Sequence, residues 1–447
     1  MLWHVLKYFL QPMSVEALEA EISAVSEDIE RQKAVLKQLE RDKSLLQRQL
    51  NNMRDPITRL PLEISSEVFR QCMLFYRDHP TGIRHIPLIL LQICRAWTDI
   101  ALSTTALWTE LYIALPCSRG FPAVLEGWFQ RARDRPLDLR VSINFKGFDP
   151  EGAFDHGVTA VIQRHSERLK GLEIDLKDFA NPLHIPFEIT ETTPLSSLRD
   201  LAISGRGSTE CDWYPLLQLL RRSPNLVELN IHNLILDRTT LNEAEMLSLP
   251  HLRRFGLGVR SSGTETDEEI LGCIAAPNLQ VLGLFGLPTL SEGLLPFLER
   301  SSPPLKRLSF DCLQLVGPIE VLGTILDVVP TLSELVIVCP TEELIMLLSD
   351  VLTRSHPSRA LPNLHTLDLQ FSPVRNLTEA SWNVLLPGLL ARRTEIGTVR
   401  VLVHSRDTDS VTLDQFAPSS IVPALKELAA GGMDFWIGPD EQNLFSP

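Results

Sequence analysis

"LVELNI", Leu226 to Ile231, reads as a leucine, two variable residues, an apolar residue, one variable residue and a second apolar residue. The phrase returns as "LKGLEI" from Leu169, "LRDLAI" from Leu198, "LRRFGL" from Leu252, "LQVLGL" from Leu279, "LKRLSF" from Leu305, "LSELVI" from Leu332 and "LHTLDL" from Leu364. Successive starts lie 26 to 32 residues apart, and several are introduced by proline, as in "SPNL", "APNL", "VPTL" and "LPNL". The alternation inside the phrase predicts a short strand. Helix-like runs such as "YPLLQLLRRS" and "IEVLGTILDVV" lie between the strands. A unit of one strand and one helix cannot bury its apolar face alone, so neighbours must stack into a continuous core.

Phrase and period together mark an irregular leucine-rich-repeat α/β solenoid with a curved parallel sheet, expected over residues 166–404. The motif is imperfect. Asn233, Cys312 and Cys339 stand seven residues past the first leucine, where the usual Asn or Cys comes at eight, and other repeats carry Gly205, Val259, Gly286 or Phe371 there. Residues 114–165 read as a connector with a degenerate first repeat, its strand "PLDLRVSI" at Pro136–Ile143. "TVRVLV" at Thr398–Val403 reads as a last strand, and 405–447 as a tail covering the open end. Side chains alternate across a strand, so the residues between the leucines face the concavity. That face is expected to bind a protein target through Glu228, Asn230, His232, Arg254, Phe285, Arg307, Asp311, Glu334, Val336 and Asp368, a mixed surface with a few apolar anchors.

Upstream of the array the apolar spacing alternates three and four from Val15 to Met53. One seam position holds Val15, Ile22, Ile29, Leu36, Lys43 and Leu50; its partner holds Leu18, Val25, Gln32, Leu39, Leu46 and Met53. A heptad of this length predicts a coiled coil over residues 14–54, about 60 Å long if wholly helical. β-Branched residues at the first a positions favour two parallel strands, hence a homodimer. Asp55-Pro56 ends the helix, because the residue before proline is pushed out of α geometry. Residues 1–13 read as an apolar overhang, too short to span a bilayer.

Between rod and array, 56–113 reads as a compact helical unit. "LPLEISSEVFRQCM" places proline at the first turn, Glu63 and Glu67 early, and Ile64, Val68 and Phe69 at helical spacing. A polar loop follows, then "IPLILLQICRAWTDIAL" and "STTALWTELYI". The segment resembles an F-box: Leu60, Pro61, Glu63, Ile64, Val68 and Phe69 match its opening, and Ile93, Cys94, Arg95 and Trp97 match its Cys-Arg-x-Trp core. The wording "CRAWTDIALSTTALW" is similar to the F-boxes abundant in mushroom-forming fungi. The resemblance implies a small all-α domain that docks on the adaptor of SCF-type ubiquitin ligases. It assigns Leu60, Pro61, Ile64, Val68 and Phe69 to that contact. Ile93, Cys94, Trp97, Leu107 and Trp108 either share the surface or form the unit's own core.

Composition narrows the function. The net charge of −14 has the wrong sign for a protein that works by neutralising phosphates, so no nucleic acid is expected. Seven scattered cysteines without a C-x-x-C pair fit free thiols in a reducing compartment, cytosol or nucleus, rather than a zinc site. No nucleophile elbow, phosphate loop or H-E-x-x-H motif is present. "FGLGVRSSG" (Phe255 to Gly263) mimics a phosphate loop, but its glycines fall within a repeat strand. The expectation is a non-catalytic substrate receptor of a ubiquitin ligase, without cofactor or metal. The alternatives are a repeat scaffold whose F-box-like helices only cap the array, or a recognition protein that uses the array without ubiquitination.

Overall fold

A run free of Gly and Pro gives a 40-residue helix, α1 (Val15–Arg54), and Asp55-Pro56 stops it as expected. The structure, a computed structural model, describes residues 14–77, 86–144, 156–177, 194–205, 210–237, 246–259, 267–286, 293–312, 320–354, 360–371, 377–403, 412–439 and 442–445. The overhang at 1–13 and most of the polar loop after Tyr76 lie outside them. The chain divides into two compact units, Met1–Trp108 and Thr109–Pro447.

After α1 the first unit continues through a 3-10 turn, Ile57–Arg59, and three helices: α2 (Leu62–Arg77), α3 (Ile86–Ile93) and α4 (Arg95–Ser103). A second 3-10 turn, Thr105–Trp108, closes it. Its core holds Phe69, Leu90, Ala101, Leu107 and Trp108. Two tertiary bonds lock the closing turn. The Ser66 and Thr104 hydroxyls meet at 2.7 Å, and the Trp108 indole N–H donates to the Ala101 carbonyl at 2.9 Å. The expected limit at 113 is corrected, because residues 110–113 are the start of a strand that belongs to the array.

The second unit repeats strand and helix. In chain order it contains β1 (Glu110–Leu115), α5 (Phe121–Ala132), β2 (Leu137–Asn144), α6 (His156–Arg164), β3 (Leu169–Lys177), β4 (Asp200–Gly205) and α7 (Trp213–Arg221). It continues with β5 (Glu228–Asp237), β6 (Arg254–Val259), α8 (Asp267–Cys273), β7 (Val281–Phe285), α9 (Leu294–Ser301), β8 (Arg307–Asp311), α10 (Glu320–Asp327) and β9 (Glu334–Val338). The last elements are α11 (Glu342–Thr353), β10 (Thr366–Phe371), α12 (Glu379–Ala391), β11 (Thr398–Val403), α13 (Val422–Ala430) and β12 (Asp434–Gly438). Its described residues form a 13-stranded sheet in which every strand except Glu210–Asp212 follows its predecessor in parallel. Two apolar rows run the length of the ladder. One passes Leu229, Phe255, Leu282, Leu308, Leu335 and Leu367; the other passes Ile231, Leu257, Leu284, Phe310, Ile337 and Leu369. All of these are buried, so the sheet is an α/β repeat whose core is shared between neighbours.

The proline-led phrase is a turn with a second purpose. In each of three repeats the Leu N–H closes a turn onto the residue three earlier, Leu226 to Ser223, Leu279 to Ala276 and Leu364 to Leu361. The asparagine inside the turn reaches the preceding repeat. Asn225 donates to Ser196 O at 2.7 Å, and Asn278 and Asn363 donate to Pro250 O and Pro330 O at 2.8 Å. Just past the ends of β7 and β9, Gly286 and Cys339 are left-handed, with φ of 69° and 52°, and Asn233, with φ of 54°, is left-handed at a register shift inside β5. All three stand at the position seven past the leading leucine; β7 and β9 end there, whereas β5 runs on to Asp237. α5 packs on α6, and neighbouring helices pack on one another from α8 to α12. α11 and α12 approach closely, for a Cβ at Gly388 would stand 3.0 Å from Leu352 Cβ. The array also outruns its phrase at both ends. β1 precedes the expected degenerate strand, and the expected tail supplies α13 and β12, the latter paired with β11.

Candidate functional site

The helical unit separates two sides of α2. Ser65 and Phe69 turn inward. The Ser65 hydroxyl, fully buried, donates to Pro61 O at 3.1 Å, and the Phe69 ring centroid stands 5.0 Å from that of Trp97. Ile64 and Val68, one turn apart on the other side, are 51% and 38% exposed, and Leu60, Pro61, Leu62 and Ile93 are exposed as well. Glu67 lies along the same helix; hydrogen bonds from Arg70 and then Gln71 hold its carboxyl down at about 2.

Among the residues expected to touch an adaptor, Leu60, Pro61, Ile64, Val68 and Ile93 are therefore accessible. Phe69 and Trp108 are not: both are buried, which corrects the contact role given to Phe69 and, of the two readings of Trp108, leaves the unit's own core. Cys94 and Trp97 are half-buried and point to Asp55, a residue the sequence marked only as a helix stop. Its carboxylate accepts from the Ile57 backbone N–H at 2.9 Å and from the Trp97 indole N–H, with the Cys94 sulfur 4.0 Å away. Asp55 thus pins the residue after α1 to the α3–α4 junction.

The second candidate surface is the face of the sheet that carries the variable residues. Its first row is knit by cross-strand ion pairs: Arg254 with Glu228 at 2.8 Å and Arg307 with Glu334 at 3.1 Å. Asp200 lies in the same row. Burial, with Glu228 and Asp138 nearby, raises its pKa against the pull of Lys170 and Arg254. Asn230 donates to Glu228 at 2.9 Å and leans over Gly256, while His232 leans over Gly258, where a Cβ would stand 2.7 Å from its Nδ1. Burial lowers the His232 pKa, so the imidazole is neutral at pH 7. Phe285 lies half-exposed over Gly283.

Two expected contact residues are enclosed rather than open. Val336 is 2% and Asp368 3% exposed, which corrects their placement on an accessible face. Among the described residues the Asp368 Oδ1 has no hydrogen-bond partner and its other oxygen receives a 3.4 Å bond from Gln370, and burial raises its pKa. Arg254, Phe285 and Arg307 are exposed, and Glu228, Asn230, His232, Asp311 and Glu334 half-buried. Burial pushes the Cys312 thiol up to about 12, with Asp311 and Cys339 adding to it, so it is not a nucleophile at neutral pH.

Among the described residues, no group of three or more His, Cys, Asp and Glu is placed to hold a metal ion, and no helix is long and apolar enough to cross a membrane. No protein-family model matches the chain, and no curated protein matches it.

Proposed function

We propose that the chain is the target-recognising subunit of an SCF-type ubiquitin ligase, acting in the cytosol or nucleus. In this reading residues 56–108 are an F-box that docks on the ligase adaptor, and the array is a leucine-rich-repeat solenoid whose variable face holds a protein target. The chain performs no bond chemistry itself; it brings target and ligase together. The observation that carries the reading is the open apolar row of Leu60, Ile64 and Val68 on a unit already filled by Phe69, Leu107 and Trp108. A small domain leaves such residues in water at a cost, and a protein partner removes it. They are also positions at which the F-box resemblance lies. On the array, Arg254, Phe285 and Arg307 offer the exposed aromatic and guanidinium groups that anchor protein ligands.

The test is co-purification of the SCF adaptor with the full chain and with a Leu60→Asp/Ile64→Asp variant. Both substituted side chains are exposed, so the variant keeps its circular dichroism. The reading expects one adaptor per wild-type chain and none on the variant. Absence of adaptor on the wild type would leave the helices as a cap on a repeat scaffold.

A further inference from the structure

Among the described residues, nothing in the first unit covers the seam of α1. Every described side chain from Val15 to Arg54 is exposed, and the apolar seam residues run from 41% at Leu50 to 68% at Val15. We propose that a second copy of this chain covers it, as a parallel, in-register two-stranded coiled coil.

Size and charge both point to that occupant. Half-exposed apolar side chains along both copies of a roughly 60 Å seam would bury on the order of 1,500 Å², the area of a stable protein interface. The flanking charges then choose the orientation. With the copies parallel and level, Asp28 at a g position faces Lys33 at the next e position of the other chain, twice by symmetry. Lys43, a charge within the seam, lies beside Asp42 of the other chain, so each ammonium finds a carboxylate at the edge of the layer. With the copies antiparallel and fully overlapped, Val15 against Met53, the same residues collide: Asp28 meets Asp42 twice and Lys33 meets Lys33. In the single chain Asp28 pairs with Arg31 at 2.6 Å and Lys33 with Glu30 at 2.9 Å, both on open helix surface. Such pairs are weak and free to exchange partners. Gln32, stacked on its own copy, supplies a hydrogen-bonding layer that penalises slipped registers. Under the proposed function, the pairing tethers two target-binding arrays in one assembly and raises avidity for targets that present two sites.

The experiment uses the full chain without adaptor, so it stands apart from the ligase reading. Light scattering at micromolar concentration is expected to give twice the 50.3 kDa chain mass, and an Ile29→Asp/Leu36→Asp variant the mass of one chain. Leu50→Cys and Leu18→Cys, each alone, are expected to form same-site disulfides on mild oxidation, identified by peptide mapping against wild type. A wild-type mass of one chain, or of three or more, overturns the proposal. So does a disulfide that forms only when the two cysteine variants are mixed, the signature of an antiparallel pair.

Discussion

Replacing Arg392 with methionine keeps the side-chain stem and removes the guanidinium. The side chain is 3% exposed at the C-terminus of α12 and ties three pieces of the array together. Nε donates to Leu352 O at 3.0 Å, at the end of α11. Nη2 donates to Ala360 O at 2.8 Å, and Nη1 to Leu361 O at 3.4 Å and to Glu395 at 3.1 Å. Leu361 is left-handed, with φ of 50°, so the turn that feeds β10 depends on this anchor. A hydrogen bond from a charged donor contributes about 1.5–3 kcal/mol. Two of the carbonyl bonds are short and the third is long, and the deserted carbonyls partly recover through water, which gives a loss of roughly 3–5 kcal/mol. Because repeats open in part rather than all at once, the assay is native-state hydrogen exchange of the full chain. Amides in α11, β10 and α12 are expected to exchange roughly a hundred- to several-thousand-fold faster, since 1.4 kcal/mol is a factor of about ten, while amides of β1 and β2 hold their rates. Arg392→Lys keeps the charge without the fork and is expected to fall between. Unchanged exchange in β10 would refute the reasoning.

Three further perturbations follow from the geometry. Asp55→Ala removes the acceptor of Trp97 and Ile57 and is expected to cost the helical unit about 2 kcal/mol, read as faster exchange across residues 94–108. Asn278→Ala removes one inter-repeat bond at a turn and is expected to cost about 1 kcal/mol, seen as a lower urea midpoint with little change in slope. Burial raises the Asp368 pKa in the folded chain, so folding favours its protonated form. Its drag on stability is absent below the unfolded carboxylate pKa and grows as pH rises through the folded one. Asp368→Asn is accordingly expected to stabilise the array at pH 7 and to lose that advantage in acid; equal effects at both pH values would count against the enclosed carboxylate.

The repeat was legible because each phrase carries its own strand, turn and buried rows within a few residues. The ends of the array were not. "ELYIAL" in β1 and "DFWIG" in β12 have strand alternation but no proline-led leucine turn, and pairing with a neighbour holds them in the ladder. In the helical unit, spacing marked Ile64, Val68 and Phe69 as apolar but not which side turns inward; that is decided by Trp97 and Trp108, distant in sequence. Asp55 was read as a helix stop, while its bond to Trp97 spans 42 positions. On the sheet, alternation assigned Val336 and Asp368 to the variable face correctly, yet their enclosure depends on neighbouring side chains that no local pattern encodes.

The central claim is that an adaptor docks on the open side of α2. Hydrogen exchange of the full chain with and without saturating SCF adaptor tests it residue by residue. The account predicts slowed exchange from Leu60 to Phe69 and around Ile93, with the array amides unchanged. Unaltered exchange from Leu60 to Phe69, or protection confined to the array, would contradict it.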